Sequence, residues 1–369
     1  MDLGAWLALL PDVELFDAHT HMGFNDPDGF KQSREELLGL LAAANADGAF
    51  VFPMHEPNGY PPANDMVISQ ALETAGGAPE LVPFCRVDPA ADAVAEAERC
   101  LANGARGIKL HPRAENFELN HPVIRDLYAL ADERSLPILV HAGRGIPALG
   151  AHLVPLSAEY PGARTILAHA GITDLTWIWR VAADLPNLLF DTSWFMPADL
   201  RTLYSLVPPG QILYASDAPY GNPVIGRAIH LRIALQAGFS PEQIRLVFAA
   251  QSQNIAAGRP LEPAGPAVGE HQAAPHLLLN RVSAFLMNGM ILTIRAAAPD
   301  AGLEQLSLAR QACNVPEGVD DAPVFAAVAA LLDEYLPNPA TLENRIPMAL
   351  LMLAMCAANT PDVPVPAAT

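Results

Sequence analysis

The stretch Val13-Glu14-Leu15-Phe16-Asp17-Ala18-His19-Thr20-His21 ends a short apolar run in two histidines two residues apart. On a β-strand, residues i and i+2 point to one side, so His19 and His21 can aim two imidazoles at one point just past a strand end. Neutral imidazole is the commonest side-chain metal ligand. An isolated pair of this kind also arises by chance. What sets it apart is recurrence downstream. Gly107-Ile108-Lys109-Leu110-His111-Pro112 places Lys109 and His111 on one side of a strand-like run. Ile138-Leu139-Val140-His141-Ala142-Gly143 and Ile166-Leu167-Ala168-His169-Ala170-Gly171 each end in a histidine followed by small residues, which let the backbone turn and leave room for a ligand. Leu213-Tyr214-Ala215-Ser216-Asp217 ends in an aspartate. One histidine after an apolar strand is commonly an ordinary core or loop residue. Five metal-capable or proton-transferring positions in the same structural place point to one shared site.

The elements that must position these residues alternate. Strand-like runs fall at 13–18, 48–54, 81–87, 104–111, 136–141, 163–169, 187–192 and 211–216. Helical patterns lie between and after them at 33–45, 65–75, 91–103, 121–134, 148–160, 173–185, 197–206 and 223–237. Ser33 with Glu36 reads as a capping box, and Pro122 sits where a first-turn proline is tolerated. Gly104, Gly162 and Gly210 fall where helices stop before the next strand. Eight strands alternating with eight helices predict a (β/α)8 TIM barrel, whose active site forms at the C-terminal ends of the strands. The runner-up, a doubly wound open sheet, would concentrate its chemistry at a switch point rather than on five strands.

A helix opened by Ser240-Pro241-Glu242 is expected to close the barrel, giving a domain over 1–258. A Pro/Gly-rich linker over 259–268 follows. Residues 269–369 show helical patterns only, at 270–298, 302–313, 321–336 and 339–359, and form a small all-α C-terminal domain, with the tail from 361 expected to be unstructured. This domain carries no chemical constellation. Its apolar helices suit a core, a dimer interface between copies of the chain, or a cover for the barrel.

The 369 residues are 51% hydrophobic and carry a net charge of −19. That balance argues against nucleic acid or an anionic membrane as partner. Cys85, Cys100, Cys313 and Cys356 are far apart and form no CxxC pair, which suggests a reducing, cytoplasmic setting. The N-terminus lacks the basic start and long apolar run of a signal peptide. The apolar stretch 346–358 is too short to span a bilayer.

His19-x-His21, the 107–112 run, Val140-His141-x-Gly143, Ala168-His169-Ala170-Gly171 and Ala215-Ser216-Asp217-x-Pro219, in this order, resemble the amidohydrolase superfamily. More narrowly they resemble its amidohydrolase 2 branch of metal-dependent hydrolases and decarboxylases. The resemblance runs from residue 13 to about 258 and leaves the helical region without a counterpart. It implies that His19, His21, His141 and Asp217 surround a divalent metal, usually zinc, with one ion favoured over two. It implies that His169 is a further ligand or the catalytic acid/base. In binuclear members a strand-4 lysine is carboxylated and bridges two metals. Lys109 lies on that strand but is followed by His111, so the two are expected to bridge or simply line the site. The alternative for Lys109 is a barrel-interior lysine paired with an acid such as Asp17.

Physical chemistry supports hydrolysis independently. A site of three or four N/O ligands with an open position lowers the pKa of a bound water toward 7. Asp217 beside it can accept the proton, and His169 can polarise a carbonyl or protonate a leaving group. The same groups can instead protonate a carbon and release CO2. A third reading keeps the barrel as a binding protein without activity; the intact set of positions argues against it. Arg86, Arg113 and Arg144 near one rim favour a small carboxylate-bearing substrate, with surface pairing to the many acids as the alternative. His55 and Glu56 are candidates to line the site, Trp194, Phe195 and Met196 to form an apolar wall, and Tyr60-Pro61-Pro62 to act as a lid. His121, His152, His230, His271 and His276 fall in or beside helices and are not expected to be ligands.

Overall fold

The computed structural model describes residues 3–143, 146, 149–194, 196–269, 276–295, 299–316, 318–319, 321–340 and 347–367. Among the described residues nine strand segments run in order: β1 (Phe16–Met22), β2 (Gly48–Pro53), β3 (Glu80–Pro83), β4 (Cys85–Arg86), β5 (Ile108–Leu110), β6 (Pro137–Val140), β7 (Arg164–Leu167), β8 (Leu188–Asp191) and β9 (Ile212–Leu213). All ladder pairs are parallel.

β3 and β4 occupy one strand position, broken at Phe84. The Phe84 N–H donates to Val51 on one side at 2.8 Å, and Cys85 donates to Gly107 on the other at 3.0 Å. The segment after β9 meets β1 and closes the ring: Ala18 donates to the Tyr214 carbonyl, Asp217 to His19, and His21 to Ala218, at 2.8–2.9 Å. Strands thus alternate with helices around a TIM barrel. Its interior is filled by Phe16, Phe50, Phe52, Phe84, Leu139, Ile166, Leu189 and Leu213, one face of each pleated strand.

β1 contains the departure that matters most. Its register against β2 shifts between Asp17 and Thr20. Phe16 and Ala18 face the interior, and the extra residue lets His19 and His21 face it as well, with rings 5.0 and 4.5 Å from Phe52. Asp17 secures the bulge. Its Oδ1 accepts from the His19 N–H at 3.1 Å and the Ser216 N–H at 2.9 Å, so one carboxylate spans both sides of the closing seam.

The Ser33–Glu36 capping box is present, and Pro122 opens its helix with His121 as N-cap, its ring accepting from the Val123 N–H. Gly162 and Gly210 lie between a helix and the next strand, as expected. They are glycines because a Cβ would come within 2.5 Å of the Asp132 carbonyl and 2.6 Å of the Glu262 carbonyl. All four cysteines are buried and free.

Beyond the 259–268 stretch lie helices Leu277–Arg295, Pro299–Ala312, Ala322–Tyr335 and Met348–Asn359. The last packs against the barrel helices Pro223–Gln236 and Pro197–Leu206. The longest apolar helical stretch is Leu277–Ile294 rather than 346–358, and it alone among the described residues is long and apolar enough to cross a membrane by length and composition. Here Leu279, Val282, Leu286 and Met290 are fully buried, against helices Pro299–Ala312 and Met348–Asn359.

The tail also departs from expectation. Val363 is buried, because Arg232, itself fully buried, takes its acceptors from the tail. Its guanidinium donates to Thr360 Oγ1 and to the carbonyls of Thr360, Val363 and Pro364 at 2.5–3.3 Å. Helical periodicity carries no trace of such a tie. Replacing Arg232 with Met should leave these acceptors unsatisfied and cost about 2–4 kcal/mol, measured as a shift in urea midpoint. Deleting residues 361–369 should cost less in the Arg232→Met background than in wild type, since both changes break one tie; equal costs would show that the tail is not held this way.

Candidate metal centre

Past the bulge, His19 and His21 point into the barrel mouth beside Asp217. The His19 Nε2 lies 3.2 Å from His21 Nε2, and Asp217 Oδ1 lies 3.2 and 3.1 Å from these two atoms. Hydrogen bonds on the far sides of the rings decide which atoms are bare. His19 donates from Nδ1 to Asp191 Oδ2 at 2.7 Å, and His21 turns Nδ1 toward the Pro53 carbonyl at 3.5 Å. Each neutral ring therefore offers an unprotonated Nε2. Burial holds both rings well below the usual histidine range, and the charges of Lys109 and of other buried groups lower them further.

Two bare ring nitrogens thus meet a carboxyl that burial pushes well above the usual carboxylate range, with the Lys109 charge pulling it back toward the ionised form. Such a cluster calls for a cation. Triangle edges of 3.1–3.2 Å suit donors about 2.0–2.2 Å from one divalent ion. Among the described residues these three form the one group of metal-capable side chains close enough to share an ion. Donor type and spacing both fit a divalent metal.

A second chain of imidazoles runs alongside. His169 donates from Nδ1 to the Ser193 carbonyl at 2.7 Å, leaving its Nε2 to accept from His141 Nδ1 at 2.8 Å. That in turn leaves His141 Nε2 bare, and this atom is buried with no hydrogen-bond partner. His111 stacks on His141 at 3.8 Å, its Nδ1 accepting from the Ala114 N–H. Burial, then neighbouring positive charge, holds both rings well below the usual range. His169 sits with its ring 5.3 Å from that of His19.

Two of these residues adopt backbone conformations that side chains rarely take. His169 has φ +55° and Asp217 φ +62°. Such left-handed residues are strained and persist only where surroundings enforce them. Asp191 Oδ1 holds the His169 N–H at 3.0 Å, and the His19 carbonyl holds the Asp217 N–H at 2.9 Å.

Lys109 is fully buried, with Nζ 3.3 Å from His19 Nε2 and 4.5 Å from the Phe52 ring centre. Burial pushes its pKa down to about 7, helped by Arg86 and opposed by Asp217 and Asp191. The alternative pairing with Asp17 is not what the fold makes: Asp17 spends Oδ1 on the seam, and its Oδ2 has no partner.

Other expectations need correction. Arg86 is not free to receive an anion, because it is buried and ion-paired to Glu115 at 2.7 Å. Arg113 is exposed in the loop after β5, and Arg144 and Phe195 lie outside the described residues. Tyr60 is no lid: it is buried, caps the helix that begins at Pro61, and donates its hydroxyl to Glu115. The loop after β1 borders the site instead. Gly23 pairs with Gln32, whose side chain donates to the His21 carbonyl at 2.7 Å, and Tyr220 stands 5.2 Å from His21 with Phe30 at its flank. Trp194 lies 6.2 Å from His169 and donates to Asp199. His55 is half-buried, and the carboxylate of Glu56 accepts from Asn25. His230 packs on Tyr214, far along its helix, and His276 pairs with Asp321 at 3.3 Å.

Two participants were missed from sequence, Asp191 and Ser193. Both stand at the end of β8, the same structural position as the histidines, and that coincidence was the available signal.

Among solved structures, the fold resembles an uncharacterized TIM-barrel protein from Bordetella bronchiseptica (TM-score 0.53, 15% identity, 67% of this chain and 100% of that one). It also resembles a 2,6-dihydroxybenzoate decarboxylase complexed with 2,6-dihydroxybenzoate (0.53, 13%, 67% and 99%). A third is a dihydroxybenzoic acid decarboxylase from a Polaromonas species, with bound manganese and an inhibitor (0.50, 14%, 67% and 97%). No curated protein matches by sequence. The family model Amidohydro_2, described as amidohydrolase, matches residues 16–250, more than half of the chain and every strand of the barrel. The chain therefore belongs to the amidohydrolase family, as a metal-dependent, hydrolase-type enzyme.

Proposed function

We propose that the chain hydrolyses a C–N or C–O bond of a small, carboxylate-bearing molecule. The observation that carries this is the convergence of His19 Nε2, His21 Nε2 and Asp217 Oδ1. In this reading His141 is the fourth donor, through its bare Nε2. Lys109 and His111 line the site. The mixed imidazole and carboxylate set suits zinc, one ion per chain, although such a set also accepts manganese. A divalent ion held there supplies Lewis acidity, which makes water a nucleophile near neutral pH.

The chain's own groups manage the protons. Asp217 takes the proton of the attacking water. His169 exchanges its proton at Nε2, the nitrogen that faces His141 Nδ1, since Nδ1–H is committed to the Ser193 carbonyl. Lys109 places a buried positive group beside the site, where negative charge develops. With Arg86 engaged by Glu115, Arg113 and Arg144 remain to bind a substrate carboxylate.

Decarboxylation is a second reading on the same residues, favoured by the likeness to the two decarboxylases. A screen of small carboxylates separates the two: hydrolysis releases a second fragment and protons, decarboxylation releases CO2.

Two outcomes are expected of variants. His19→Ala and Asp217→Asn should lose bound zinc, measured by elemental analysis, and activity with it. His169→Asn should keep the metal while kcat falls about 10²–10⁴-fold. Full activity in Asp217→Asn would end this assignment, as would wild-type protein that neither carries nor recruits zinc or manganese.

A further inference from the structure

Asp191 ends β8 fully buried, and its two oxygens do different work. Oδ2 accepts from His19 Nδ1 at 2.7 Å. Oδ1 accepts from the backbone N–H groups of His169 and Ser193, both at 3.0 Å, and from the Ser193 hydroxyl. Ser193 completes the unit, its carbonyl accepting from His169 Nδ1 at 2.7 Å. One carboxylate therefore sits between the ring that must present a bare Nε2 and the strained residue that carries a proton.

We propose that Asp191 is a shared positioning residue, which fixes the tautomer of His19 and the backbone of His169 together. It rests on the reading of the site as a metal centre. Asp191 touches no reacting atom and acts through the two histidines. An ionised carboxylate can accept on both oxygens at once. An asparagine cannot. Its carbonyl would satisfy the three donors on the Oδ1 side, which leaves its NH2 facing His19. The imidazole must then accept at Nδ1 and carry its proton on Nε2, where the metal should bind. Ser193 Oγ lies 3.3 Å from His19 Nδ1, well outside the 2.7 Å bond from that nitrogen to Asp191, so loss of Ser193 should disturb His19 far less than loss of the carboxylate.

The test uses the metal-free full chain labelled with 15N-histidine. Long-range 1H–15N spectra report the tautomer of each ring. Wild type should show His19 protonated at Nδ1 and bare at Nε2. Asp191→Asn should show the opposite, and its zinc affinity, measured by competition with a chromogenic chelator, should fall about 10–100-fold. Ser193→Ala should keep the wild-type tautomer and near wild-type affinity. The proposal is overturned if Asp191→Asn leaves the His19 tautomer unchanged, or if Ser193→Ala weakens zinc as much as Asp191→Asn does. Should Asp191→Asn not fold, the wild-type spectrum still decides, since a His19 protonated at Nε2 contradicts it outright. A wild-type chain with the expected tautomer but no affinity for zinc would instead defeat the metal-centre reading and leave the role of Asp191 intact.

Discussion

Two imidazole nitrogens and a carboxylate oxygen stand within 3.2 Å of one another in the mouth of the barrel. Left alone, these lone pairs repel. A fold holds them so only by spending other interactions on it, and much of the local structure can be read as that expenditure. The register shift in β1 turns His19 and His21 inward. Asp17 fastens the shifted strand to the segment that carries Asp217. Asp191 holds the proton of His19 on its far side, at Nδ1, by accepting from it. The left-handed backbone of Asp217 brings its carboxylate to the seam.

Electrostatics around this triangle is balanced rather than uniformly negative, although the chain as a whole is strongly acidic. Lys109 and Arg86 are buried near it, and Arg86 is matched by Glu115. Burial drives the histidines toward their neutral forms, which is the form a metal needs. The buried ion pair of Arg86 costs desolvation that its attraction to Glu115 only partly returns. Its value lies in placing a fixed charge beside the site without leaving that charge free to hydrogen-bond a substrate.

The repeating strand and helix pattern made the barrel legible, because period-2 and period-3.6 apolar patterning is a local property of sequence. The histidine and aspartate positions were legible for the same reason: a barrel gathers strand ends, so residues far apart in sequence could be assigned to one place. The rest depends on tertiary geometry. The bulge at Asp17–Thr20 has no sequence signature. Arg86 and Tyr60 were misread because Glu115, which captures both, sits in a loop whose path no periodicity predicts. Asp191 lies within the 187–192 run already read as a strand, and what it does there depends on His19 and His169, which come from other strands. The ordered tail depends on one buried arginine, Arg232, whose acceptors lie 128 or more residues away in the chain.

Anomalous diffraction at the zinc edge, from crystals of the full chain grown with zinc, tests the central claim most directly. A single peak about 2.0–2.2 Å from His19 Nε2, His21 Nε2 and Asp217 Oδ1 is the expected result. A triangle filled by the Lys109 ammonium, with the zinc peak elsewhere, would contradict it.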